Sequence, residues 1–298
     1  MELIIAGTVA LDDVKTPFGE VKGALGGSAT YAAYAASHFS RPGIVSVIGE
    51  DFPKQHLDML EKRGIDLKGL KKEGKTFRWD GYYEFDMNEA KTLRTELNAL
   101  ENFTPKLPEA YKKAKYVFLA NIDPGVQLAV LQQVKKPAWV VTDTMNFWIE
   151  NKKEELMKVI KKTDTLLLND GEARELFKTT NLVKAANEAL KLGPSSVIIK
   201  KGEHGALLFT KDKHFNAPGY PLENIKDPTG CGDSFGGALI GHLASTKLHG
   251  EWNLRKAVMY GSTLASFNAE EFSLEKLKSI KKEDIEKRLK EFREMREF

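Results

Sequence analysis

Short apolar runs alternating with amphipathic helical stretches restrict the fold of this chain more than any other feature. The apolar runs fall at 3–6, 43–48, 116–120, 138–143, 165–168, 196–200 and 206–210. Between them, 28–37, 55–63, 126–134, 154–160, 171–177 and 182–192 read as helices. Strands that alternate with helices predict an α/β fold with a mostly parallel sheet. In such folds ligands bind beyond the carboxyl ends of the strands.

Two stretches interrupt the alternation. Residues 11–25 are polar and carry glycines, and 75–100 hold Phe77, Trp79, Tyr82, Tyr83 and Phe85 in an alternating pattern. Aromatics at period two suggest edge strands of a small antiparallel sheet. The two stretches together read as a lid over the carboxyl ends of the main sheet; an ordinary surface hairpin is the plainer alternative. The last third is helical, at 234–248, 254–268 and 283–296. No internal repeat or low-complexity linker divides the chain, so 1–298 reads as one domain.

Composition excludes several functions. Lys and Arg number 45 against 42 Asp and Glu, a net charge of +3 with the two signs interleaved, as in Lys152-Lys153-Glu154-Glu155. That balance gives no electrostatic case for nucleic acid. No apolar run approaches the roughly 20 residues of a membrane helix, and the first residues lack a signal-peptide pattern. With one cysteine, Cys231, no intrachain disulfide can form. A cytoplasmic location is expected.

The strongest local signal is Asp227-Pro228-Thr229-Gly230-Cys231-Gly232-Asp233-Ser234-Phe235. Pro228 and Gly230 interrupt regular structure just before a helix. The backbone N–H groups of Gly230, Cys231 and Gly232 would then sit at that helix's N-terminus, where unpaired donors and the helix dipole attract anions. A carboxylate at the same mouth suits phosphoryl transfer. The amides hold the negative group, and Asp233 takes the proton of an attacking hydroxyl. Read without that chemistry, the segment is a glycine-rich turn with Asp233 as a helix cap.

This segment resembles the C-terminal motif of the pfkB or ribokinase-like family of carbohydrate and nucleoside kinases, usually Asp-Thr-x-Gly-Ala-Gly-Asp. Pro228 and Cys231 are the departures. The resemblance implies a three-layer αβα fold with a small β lid, Asp233 as catalytic base, and Gly230, Cys231 and Gly232 as the anion hole beside Thr229. The Cys231 thiol would be a liability to oxidation or alkylation.

Other segments occur in the family's order. Gly26-Gly27-Ser28 resembles the motif that holds the phosphate acceptor, with Ser28 where Asn or Lys is usual. Asp12, or the adjacent Asp13, resembles an acid that binds two acceptor hydroxyls; a carboxylate only accepts, so it suits a vicinal diol. Asn169-Asp170-Gly171-Glu172 is similar to the Asn-x-x-Glu motif that orients Mg²⁺ through water, although Asn169 and Glu172 also have the spacing of a capping box. Lys200, Gly202 and Gly205 fit the nucleotide-side turn, and Asn121 falls where the family contacts the acceptor. ATP and Mg²⁺ are the implied cofactors, with K⁺ near Asp227 and 266–272 in many relatives.

The resulting expectation is a kinase of a sugar or related polyol. A nucleoside kinase with an adenosine-like acceptor is the first alternative; a catalytically silent ligand-binding module on the same fold is the second. The lid would also be the contact of a homodimer. The six histidines and one cysteine show no zinc spacing.

Overall fold

The computed structural model describes residues 1–297. Its main sheet has nine strands: β1 (Leu3–Ala6), β4 (Pro42–Ile48), β5 (Asp66–Lys72), β8 (Tyr116–Leu119), β9 (Trp139–Thr142), β10 (Thr165–Asn169), β11 (Ser196–Lys200), β12 (Ala206–Thr210) and β13 (His214–Ala217). The spatial order is β13-β12-β11-β10-β9-β8-β1-β4-β5. Pairing is parallel from β5 across to β11, and antiparallel through β12 to β13. The fold class is the one that the alternation of runs predicts.

Side-chain alternation along the strands divides the interior into two layers. Leu3, Ile5, Phe118, Val141, Leu167 and Ile198 face α1 (Ser28–Ala36), α8 (Cys231–Thr246) and α9 (Glu251–Asn268). On the other face, Ile4, Ala6, Val117, Leu119 and Val140 meet α3 (Pro124–Gln133). Leu166, Leu168, Val197 and Ile199 on that face meet α4 (Asn146–Asn151), α5 (Lys153–Ile160), α6 (Asp170–Phe177) and α7 (Leu182–Lys191). The first layer is completed by α2 (Lys54–Lys62), α10 (Glu275–Ser279) and α11 (Lys282–Glu294) through Leu60, Leu277 and Ile285. Both faces of the sheet are therefore covered, which explains why its central strands are continuous apolar runs.

Two strands lie outside the sequence expectations. β5 carries Lys68, Lys71 and Lys72, and β13 begins at an exposed His214. Both are sheet edges, which are solvated on one side and often blunted by lysine, so neither shows an apolar run.

A second sheet is formed by β2 (Ala10–Thr16), β3 (Gly19–Gly26), β6 (Phe77–Tyr83) and β7 (Ala90–Glu96). Its four strands have the order β3-β2-β6-β7. The two hairpins join through a parallel β2–β6 pairing. The alternation of aromatics in β6 is broken by an irregularity between Asp80 and Gly81, which shifts the register of the rest of the strand. This sheet stands next to the carboxyl ends of β1 and β8, where chain order reverses across the main sheet, the usual ligand crevice of an open α/β fold.

Candidate active site

Close helix packing places the glycine-rich turn. Gly237 and Gly241 of α8 lie directly on Ala32 and Ala36 of α1, with no room for a Cβ on Gly237. The amino end of α8 is thereby held beside the amino end of α1, which follows Gly26 and Gly27. Helix α8 begins at Cys231, three residues earlier than the sequence suggests, with Gly230 as its N-cap at φ 78. That left-handed conformation favours glycine. A side chain at 230 would also overlap the ring of Tyr31, a buried residue of α1.

Thr229 is fixed from several sides. Its N–H donates to Asp227 Oδ1 at 2.9 Å, and its carbonyl accepts from Asn268 Nδ2 of α9 at 2.7 Å. Its hydroxyl donates to Tyr83 Oη of β6 at 3.3 Å. The Cys231 thiol turns away from the turn and donates to the Ala265 carbonyl at 3.4 Å. Burial pushes this thiol up to about 12. That disfavours the thiolate which oxidation or alkylation would need.

Asp233 lies in the first turn of α8. Burial raises its carboxyl to about 7, Asp143 adds to the rise, and Lys200 opposes it. Lys200 ends β11, and its Nζ bonds Asp143 Oδ2 at 2.7 Å. Its ammonium also lies near Gly232, 3.1 Å from where a Cβ would stand. Burial opposes the charge on Lys200, but Asp143 and Glu172 more than offset it and raise its pKa. A fixed cation thus stands beside the turn's amides. Asp143 was not singled out from sequence, although it follows an apolar strand at the same end of the sheet as Asn169.

Asp12 and Asp13 part company. Asp13 Oδ1 accepts from Gly23 N at 2.6 Å and ties the β2–β3 hairpin. Asp12 is 4% exposed, and its Oδ1 has no partner within the protein. Burial, with Asp227 next in effect, raises its carboxyl to about 8. Asp227 is 1% exposed and likewise keeps one oxygen, Oδ2, unpartnered. Gly26 leaves room for Asp12, whose carboxylate would collide with any Cβ there.

Ser28 and Asn121 are committed to each other's neighbourhood. Ser28 Oγ donates to the Asn121 carbonyl at 2.8 Å and accepts from Thr8 N at 2.9 Å. It clamps the start of α1 to the ends of β1 and β8, so its hydroxyl is already occupied. Asn121 Oδ1 accepts from Trp148 Nε1 at 2.8 Å, and its amide nitrogen donates to the Met145 sulfur at 3.2 Å.

Asn169 and Glu172 form the reciprocal capping box that their spacing allows. Asn169 Oδ1 accepts from Glu172 N at 2.7 Å, and Glu172 Oε2 accepts from Asn169 N at 2.7 Å. Burial pushes the Glu172 carboxyl up, and the Lys200 charge pulls against it. No group of three or more His, Cys, Asp or Glu side chains among the described residues has metal-ligand geometry. Each Glu172 oxygen accepts one hydrogen bond from Asn169 and keeps a lone pair with which it could accept from a water of hydrated Mg²⁺.

Gly202 and Gly205 flank a short 3₁₀ turn after β11, both at positive φ. Gly205 lies against the backbone of Ala217 and Gly219. His204 is on this turn and exposed, away from any ligand set. A separate groove of about 300 Å³, lined by residues of α5, α6 and α7 such as Met157 and Phe177, shares no residue with this cluster. No helix among the described residues is long and apolar enough to cross a membrane.

Similarity to known proteins agrees with the geometry. Residues 5–279 match the pfkB family of carbohydrate kinases. A cytidine kinase of Thermococcus kodakarensis is 30% identical over 250 residues, covering 80% of this chain and 87% of that protein. The crystal structure of a nucleoside kinase from Methanocaldococcus jannaschii, an archaeal member of the ribokinase family, superposes with TM-score 0.78 at 21% identity, over 98% of this chain and 99% of that one. A candidate ribokinase II from E. coli, solved with ATP and Mg²⁺, has TM-score 0.78 at 17% identity over 99% of each chain. With a family match over nearly all its length and a shared fold, this chain belongs to the pfkB carbohydrate kinase family and is a small-molecule kinase.

Proposed function

We propose that this kinase moves the γ-phosphoryl group of ATP to a hydroxyl on a ribose-like diol, borne by a free sugar or by a nucleoside. The observation that carries the reading is Asp233, held in the first turn of α8 beside the Gly230, Cys231 and Gly232 amides with its carboxyl raised to about 7. A base with a pKa near the working pH combines a large ionised fraction with proton affinity. The acceptor hydroxyl would give its proton to Asp233 as it attacks. The Gly230 and Gly232 amides and Lys200 would take up the charge on the transferring group; the Cys231 N–H, expected from sequence to join them, instead donates to the Pro228 carbonyl at 3.1 Å and closes the turn.

Asp12 would orient the acceptor: its buried, unpartnered oxygen lacks a donor that a sugar hydroxyl can supply. Gly26 and Gly27 would line that side, and the Asn121 amide would bound it. The nucleotide would lie along Thr229, Lys200, Gly202 and Gly205. Asn169 and Glu172 would hold hydrated Mg²⁺, which when bound offsets the negative charge of the nucleotide phosphates. Asp227 Oδ2, unpartnered beside a loop that pairs with Ala269, would suit K⁺. The small sheet would act as the lid. Its exposed strand β7, with Leu93 outward, would be the face on which two copies pair.

The similarity to a cytidine kinase favours a nucleoside over a free sugar. The test is a phosphoryl-transfer panel of pentoses, hexoses, inositols and nucleosides with ATP, run on wild type and Asp233→Asn. The best acceptor should be a ribonucleoside, and the variant should lose about 10²–10⁴-fold in turnover with nucleotide affinity little changed. A folded Asp233→Asn protein that turns over at the wild-type rate would refute the mechanism.

A further inference from the structure

The small sheet reaches the catalytic turn through a hydroxyl pair. Tyr83 is the last residue of β6, and its phenol oxygen accepts the Thr229 hydroxyl at 3.3 Å across 146 positions of sequence. Thr229 opens the 229–232 turn. Two of its ties, to Asp227 and to Asn268, come from the main body. The third comes from the small sheet. Just beyond Tyr83, the β6–β7 connection arrives at the other end of the site. A Cβ at Gly202 would stand 2.9 Å from Asn88 Oδ1. One hairpin therefore spans from the catalytic turn to the proposed nucleotide-side turn.

Burial keeps the Tyr83 phenol well above its ordinary pKa, so it remains a neutral hydrogen-bonding group. The amides of the turn are useful to catalysis only if they are already aimed before the reaction begins. A turn opened by Pro228 and Gly230 gains that order from its anchors.

We infer that Tyr83 is a positioning residue for phosphoryl transfer: through the Thr229 hydroxyl it fixes the 229–232 amides, and it does so only when the small sheet is seated on the main body. The inference rests on the kinase reading above. It couples coverage of the site to its chemistry, because the strand that excludes water also aligns the donors.

Tyr83→Phe removes the one oxygen and keeps the ring, so packing of the sheet should survive. In the unliganded protein, hydrogen exchange at 229–232 should speed up about 5–10-fold, the loss of one neutral hydrogen bond, while the middle of α8 is unchanged. With the best acceptor of the panel, kcat should fall by about the same factor while the nucleotide KM stays within about twofold. Thr229→Val should reproduce the fall in kcat, and the double variant should be no slower than the slower single variant. Unchanged exchange at 229–232, an unchanged kcat, or a double variant slowed by the product of the two single effects would each overturn the role given to Tyr83. A wild-type protein that phosphorylates nothing in the panel would overturn the kinase reading instead, and the exchange measurement would still decide on Tyr83.

Discussion

Gly230→Ala isolates the physical requirement on which the anion turn depends. The position has φ 78, a conformation that costs a residue with a Cβ about 1–2 kcal/mol. The added methyl would also overlap the Tyr31 ring. That ring cannot swing aside easily, since Tyr31 is 2% exposed inside a helix whose nine residues are all buried. Overpacking of this kind typically costs about 1–3 kcal/mol. The two effects together predict a loss of about 2–5 kcal/mol. Urea unfolding of four proteins measures it: wild type, Gly230→Ala, Tyr31→Ala and the double variant, compared only if m is constant. In the Tyr31→Ala background the steric part should vanish and the conformational part remain. The penalty should therefore drop by about 1–3 kcal/mol, which is the coupling between the two sites. Equal penalties in both backgrounds would show that Tyr31 does not enforce glycine here. A penalty under about 1 kcal/mol in wild type would refute the left-handed N-cap itself.

The buried carboxylates give the remaining outcomes. The proposed base, Asp233, would act only when ionised, so kcat/KM should rise with pH to a midpoint near 7, and a profile flat from pH 5 to about 8 would refute that assignment. For stability the sign is opposite. Folding raises Asp12 from 3.8 to about 8, so the folded state binds that proton more tightly, and its contribution is present below about 4 and lost as pH rises to 8. Asp12→Asn should flatten that part of the stability–pH curve, and an unchanged curve would count against it. Turnover should be higher in potassium than in sodium or choline salts at equal ionic strength if the Asp227 oxygen helps to bind a cation; equal rates in all three remove that role.

Much of the fold is written in local pattern. The central strands are legible because a strand covered on both faces is apolar along its buried length, and Leu3–Ala6, Tyr116–Leu119 and Leu166, Leu167 and Leu168 of β10 carry that pattern on their own. The edges β5 and β13 are not legible, because a strand with one solvated edge needs no such run. Residues 227–233 also point to an anion site locally, since a helix N-terminus leaves amides without intrahelical partners.

The partners of those amides are a different matter. That Lys200 pairs with Asp143, that Tyr31 lies under Gly230, and that Tyr83 meets Thr229 depend on which segments the sheet order brings together. Sequence spacing holds no record of this, because contacts between distant segments are set by packing. The same is true where sequence leaves two readings open. Asp12 and Asp13 are equivalent on paper, and only the β2–β3 hairpin decides that one bonds Gly23 while the other is buried without a partner. Ser28 looks free to meet a ligand until β1 and β8 close on it. Residue types and their order suffice to propose a phosphate site beside a carboxylate. Burial decides how basic that carboxylate is, because desolvation belongs to the assembled fold and to no single residue.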